Sequence, residues 1–204
     1  MSTVRLTQGE LKIQRDRLQA YQRFLPTLQL KKQQLHLELN KQSRALESCR
    51  LQLDKLAGDI IPWMGLLAES GIVMGDTLDT REVFFTSRNV AGVDIPVFDH
   101  LEFQVPDYDL FATPLWLDRG IMLFREYIDS YFQLEALKKG EELLRRELLT
   151  TTQRVNLFEK VKIPEAQEHI RLIRIHIGDQ LAGSIGRSKL VKRRTARPVR
   201  EAAR

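Results

Sequence analysis

A single cysteine, Cys49, in 204 residues excludes an internal disulfide and any multi-cysteine metal site. Prolines number 7 and aromatics make up 7% of the chain. So few helix breakers and strand-forming rings disfavour a sheet-dominated enzyme fold. No apolar run approaches the ~20 residues a bilayer requires, and Arg5, Glu10 and Lys12 interrupt the opening segment before a signal-peptide core forms. The expectation is a soluble, intracellular protein that reaches a membrane only through a partner. A phosphate loop is missing as well. Gly178 to Gly183 has the glycine spacing, but Ser184 and Ile185 follow where Lys and Ser/Thr would be needed. His36, His100, His169 and His176 are scattered, with His169 and His176 two helical turns apart, too far for one helix to hold a metal between them. Glu141 and Glu142 read as helix-surface charges. No catalytic, cofactor-binding or metal-binding residue is expected.

What is present is opposed charge. Residues 1–62 carry 11 basic and 6 acidic groups, 63–118 carry 2 and 10, and 119–204 carry 19 and 11, so the net charge of +5 is a cancellation. The last 18 residues, from Arg187, hold eight cations against Glu201 alone and are expected to fray into a mobile tail.

Periodicity is the strongest signal. Alternating steps of three and four join Leu18, Tyr21, Leu25, Leu28, Lys32 and Leu35, then continue through Leu39, Gln42, Leu46, Cys49, Leu53, Leu56 and Ile60. A heptad seam of that length predicts a coiled-coil helix over 1–62, with Pro26 bending or breaking it locally. A second stripe runs through Ile121, Phe124, Ile128, Tyr131, Leu134 and Leu137, continues at Leu144, Leu148, Thr151, Val155 and Phe158, and resumes at Ile170, Ile173, Ile177 and Leu181 after Pro164. Its shifts predict a long helix with stutters over 119–186, packed antiparallel on the first. Between them, 63–118 is rich in Gly and Pro and holds β-prone runs, "REVFFTSRNVAGVDIPVF" and "HLEFQV", separated by Asn89 to Gly92 and by Asp99. A hairpin or small meander is expected there, lying against the coil or a partner. Phe84, Phe85, Val97 and Phe98 are its candidate partner-binding residues. The fold class is therefore mainly α: a long antiparallel two-helix coiled coil from the N- and C-terminal helices, a small hairpin-containing middle region, and a basic tail at 187–204.

Three segments resemble the D subunit of V-type (A/V-type) ATP synthases, in its bacterial branch. "LPTLQLKKQQL", Leu25 to Leu35, is similar to the family's first-helix stretch. "SRNVAGVDIPVF", Ser87 to Phe98, resembles its Asn-x-x-Gly-Val-x-x-Pro pattern. Most specific is Gln153 to Gln180, which carries the Arg-Val-Asn-x-x-Glu-x-x-x-Ile-Pro run at Arg154, Val155, Asn156, Glu159, Ile163 and Pro164. The resemblance implies a non-catalytic central rotor shaft. Its coil ends would enter the head of catalytic and non-catalytic subunits, an F subunit would bind the coil, and a C subunit would lie above the membrane ring. It also implies a cytoplasmic location peripheral to the cell membrane, no cofactor, and ATP synthesis or hydrolysis coupled to proton or sodium movement elsewhere in the complex. Lys189, Lys192, Arg193 and Arg194 are the candidate head contacts. The alternatives left open are a prefoldin-like chaperone, also two helices joined by β structure, and, more weakly, a nucleic-acid-binding coil using the basic tail.

Overall fold

The computed structural model describes residues 4–69, 80–103, 114 and 116–201, with the side chains of 63, 66–69, 80 and 195–201 outside the description. Helix α1 (Gln8–Glu69) leads to strands β1 (Thr80–Val90) and β2 (Val93–Phe103), then to helix α2 (Leu117–Leu157), a π-helical turn (Phe158–Lys162) and helix α3 (Ile163–Glu201). Two compact units result, Lys31–Thr151 and the pairing of Met1–Leu30 with Thr152–Arg204.

All the seam positions expected from Leu18 to Ile60 are buried or half-buried, while Phe24, Leu30, Leu37 and Leu51 between them are exposed. The same spacing extends back to half-buried Leu11 and buried Gln14. Helix α1 runs unbroken through Pro26, which is exposed. Its missing donor falls on the solvent side, while the seam on either side keeps the helix paired.

In the central unit the helices are antiparallel, because partners descend on α2 as they ascend on α1. Lys31 meets Glu147 at 2.6 Å, Ser43 donates to Glu141 at 3.0 Å, Gln42 donates to the Leu137 carbonyl at 3.2 Å, and the Cys49 thiol reaches the Ser130 carbonyl at 3.5 Å. In the terminal unit Tyr21 packs on Phe158 with ring centroids 5.3 Å apart, and Thr7 and Gln8 share a cleft with Gln180 and Ser184, so the order is again antiparallel.

The second stripe departs from expectation at four positions. Tyr131 and Leu181 are exposed, and small residues, Ala136 and Gly140, are buried on α2 instead. The stutter before Pro164 is the π turn, in which the Ile163 N–H donates to the Phe158 carbonyl five residues back. The widened turn adds one residue just before Pro164, whose ring would crowd the Lys160 carbonyl in a regular helix. The buried stripe accordingly steps by four through Phe158, Lys162, Ala166 and Ile170 before resuming at Ile173. The basic stretch expected to fray is helical as far as Glu201.

Among the described residues the middle region forms one antiparallel hairpin. Ala91 (φ 51°) and Gly92 (φ 82°) both have positive φ, the conformation of a two-residue type I′ loop whose twist matches the strands. Asn89 Oδ1 accepts from the Gly92 N–H at 3.1 Å and Asn89 Nδ2 donates to Asp94 at 2.6 Å. Asp99 is not the second turn that the sequence suggested. Phe84 pairs with His100 and Phe85 with Phe98, so Asp99 is the extra residue of a bulge inside β2, and "HLEF" continues that strand. Gln104 and Val105 lie outside the described residues.

The hairpin is seated on the coil by Ile95, which with Leu35 of α1 and Leu144 of α2 forms a core cluster, flanked by Leu39, Val90, Ala91, Val93 and Leu148. Gly140 stands beside that seat. A Cβ there would stand 2.8 Å from Gln42 Nε2 and 3.7 Å from Ile95 Cβ. Gln42 is only 7% exposed and its amide donates to the Leu137 carbonyl, so making room gives up that bond. In an open helix Gly→Ala gains about 1 kcal/mol. At position 140 the sign should reverse, because displacing a buried amide from its carbonyl costs about 1–3 kcal/mol. Gly140→Ala is expected to lower the urea midpoint, and a raised midpoint would show that Gln42 yields without cost.

Candidate functional site

The sequence-predicted site residues fall into three places. The seam leucines Leu18, Leu25, Leu28, Leu35, Leu39, Leu46, Leu53 and Leu56 are turned inward along α1 and hold the helix pair together. The signature run divides between inside and outside. Val155 is buried and Ile163 half-buried beside the Tyr21–Phe158 contact, whereas Arg154, Asn156, Glu159 and Pro164 are exposed. Buried members support the helix pair, and the others face solvent.

Lys189, Lys192, Arg193 and Arg194 are all exposed on α3. Leu190 and Val191, each 62% exposed, stand among them, and Ile185 is exposed one turn earlier. The cleft shared with Leu6, Thr7 and Gln8 ends at Arg187. A cationic helix with uncovered apolar side chains suits a protein partner that supplies both carboxylates and an apolar surface.

On the hairpin, Phe84 is half-buried and stacks on His100 (centroids 4.6 Å, planes 13° apart), while Phe85 meets Phe98 edge-on at 6.2 Å. Phe84 and half-buried Phe98 are thus partly consumed within the hairpin, and Phe85 (47% exposed) and Val97 (38%) remain open. A groove of about 770 Å³ separates the hairpin from the helices, lined among others by Gln34, Glu38, Lys41, Arg88, Pro96 and Gln133. Its lining includes Lys41 and Glu38, paired at 2.7 Å. Gly178 and Gly183 lie within helix α3, where their N–H groups are committed to the helix and form no phosphate loop.

Electrostatics point the same way. Burial pushes the Cys49 thiol up, which holds it protonated and unreactive. Glu141 is held below its ordinary value chiefly by its hydrogen bond from Arg145, with Ser43 donating as well. Asp129 on α2 is raised by burial. A carboxyl whose folded value is raised favours folding below its unfolded value and loses that contribution as pH rises through the folded one. Asp129→Asn should therefore stabilise the chain at pH 7 and have no such effect at pH 3, as measured by urea midpoints. Equal effects at both would place the cause in packing.

Among the described residues, no helix is long and apolar enough to cross a membrane. A buried seam, charged outer faces, a docked hairpin and an uncovered cationic helix define a structural subunit that works through its surfaces. The model of the ATP synthase D-subunit family matches residues 10–193. The V-type ATP synthase D subunit of Borreliella burgdorferi is 42% identical over 192 residues, covering 94% of this chain and 95% of that one. Those of Chlamydia abortus and Chlamydia caviae are 28% and 26% identical, each covering 95% of this chain and 94% of theirs. The chain belongs to the ATP synthase D-subunit family. It is a structural component of a V-type rotary ATPase complex, which serves ATP synthesis and ion transport, and is not catalytic by itself.

Sequence reasoning missed Gly140, Ile95 and the Gln14 end of the seam. An isolated glycine inside a helical stripe was the available signal for the first. Continuing the three-four spacing N-terminally from Leu18 would have found the last.

Proposed function

We propose that this subunit is the central rotor shaft, transmitting torque between the catalytic head and the membrane ion-translocating ring, in ATP synthesis or in hydrolysis coupled to proton or sodium transport. The observation that carries it is the separation of roles across each helix pair, with apolar side chains buried along the seam and solvated charges on the outer faces. The seam supplies stiffness. The outer charges supply contacts that are individually weak, screened by salt and exchangeable, as rotation past successive faces of a head requires.

On this reading Lys189, Lys192, Arg193 and Arg194 meet the catalytic and non-catalytic head subunits. An F subunit binds the coil, a C subunit above the membrane ring receives the other end, and Phe84, Phe85, Val97 and Phe98 of the hairpin are candidate partner contacts. The chain then sits in the cytoplasm, peripheral to the cell membrane. The division into a coiled-coil helix at 1–62, an acidic middle at 63–118, a second helix at 119–186 and a basic end at 187–204 corresponds to these contacts. Family membership over 10–193 displaces the chaperone and nucleic-acid readings. Co-expression with the head and stalk subunits should yield a complex holding one copy of this chain whose ATPase drives its rotation. A complex that forms and turns over ATP equally well without it would refute the proposal.

A further inference from the structure

The two outer edges of the hairpin differ. In a two-residue type I′ hairpin the closing pair, Val90 and Val93, exchanges both ladder bonds, and bonded and non-bonded pairs then alternate. Arg88–Ile95 and Thr86–Val97 are thus bonded pairs, and Asn89–Asp94, Ser87–Pro96 and Phe85–Phe98 are not. The main-chain groups of the non-bonded pairs point away from the partner strand. On β2 that outward row is blunted, because Pro96 has no N–H and the Asp99 bulge interrupts it, both of them devices that discourage edge pairing. On β1 the row is intact from Phe85 to Asn89, that strand's own irregularity lying further back at Arg81. Phe85, Ser87 and Asn89 each present an N–H and a C=O outward, and every residue from Phe85 to Asn89 is exposed.

Charge identifies the occupant. The acidic block 63–118 contains only two cations, Arg81 and Arg88, and both are exposed on β1. Among the described residues Arg88 has one ion pairing, a long 3.7 Å contact with Glu38. A second copy of this chain would bring an equally acidic block against the first, which repulsion opposes. We infer that the outer edge of β1 accepts an extended strand from another subunit of the ATPase complex, paired through the main chain of Phe85, Ser87 and Asn89. The incoming strand carries an apolar side chain beside Phe85 and a carboxylate toward Arg88 or Arg81. This is recognition by strand addition, in which backbone bonds hold the segment and alternate side chains select it. The inference rests on the chain's membership of that complex.

Amide hydrogen exchange of the full chain, alone and within the complex purified after co-expression with the head and stalk subunits, tests it. The N–H groups of Phe85, Ser87 and Asn89 are expected to slow about tenfold or more on assembly. Ser87→Pro removes the central outward donor and keeps the ladder, as Pro96 does across from it, and should weaken incorporation about five- to tenfold relative to Ser87→Ala. If Ser87→Pro loses protection at Val90 and Val93, the hairpin itself has failed and the wild-type exchange decides alone. A complex that forms with these three amides unchanged overturns the inference while leaving the rotor proposal standing. Absence of any complex overturns both. A concentration-dependent dimer of the isolated chain that Ser87→Pro abolishes assigns the edge to a second copy and overturns the choice of partner.

Discussion

Leu35→Ala is expected to destabilise the central unit by about 2–5 kcal/mol, the range for emptying a fully packed leucine site. Leu35 is 0% exposed and meets Ile95 of β2 and Leu144 of α2, so one truncation loosens the helix pair and the hairpin seat together. Collapse around the cavity is hindered because three elements would have to shift at once. Leu37, two residues on and 63% exposed, supplies the contrast. Leu37→Ala should change stability by no more than about 0.5 kcal/mol. Urea denaturation of the two variants measures the difference, and similar losses in both would contradict the seam. Because hairpin and coil share the cluster, hairpin amides should also lose exchange protection in Leu35→Ala.

Reversal of Lys189, Lys192, Arg193 and Arg194 to glutamate should have the largest effect on assembly. All four are exposed, so the fold should not register the change beyond about 0.5 kcal/mol. Binding should register it strongly, since about eight units of charge change at one helix end. If each contact contributes only about 0.5 kcal/mol, in line with exposed pairs, loss of four weakens association by more than about tenfold. The deficit should widen at low salt, where screening is weakest, and shrink as salt rises. Sedimentation of the complex across a salt series, with the unfolding midpoint as control, reads both quantities. Unchanged assembly and ATPase activity at low salt would remove these residues from the head contact.

Much of the fold was legible because a coiled coil writes its contacts into a local repeat. From Leu18 to Ile60 the spacing alone selected residues that are buried or half-buried, including the polar Lys32 and Gln42. The turn at Ala91 and Gly92 was legible for a similar reason, since positive φ favours few residue types and Gly92 is one of them. Asp99 misled because an aspartate marks either a turn or a bulge, and register with Phe84 and Phe85 chooses between them. Tyr131 misled because helical periodicity names a face without naming what covers it. On that stretch of α2 the buried face joins Leu134 to two small residues, Ala136 and Gly140, the latter where Gln42 and Ile95 approach.

The sequence by itself determined the helices, their seam, the hairpin between them and the family, because each rests on short-range spacing or on motifs contiguous in the chain. The stripe already named Val155, but only the tertiary structure decided which signature residues outside the stripes face inward. Ile163 is half-buried while Pro164, its neighbour, is exposed. It also decided that the hairpin rests on Leu35 and Leu144, which lie far apart in the chain, and that β1 rather than β2 keeps an open edge. Those outcomes depend on how distant segments meet, and a local pattern holds no record of the surface that will arrive opposite it.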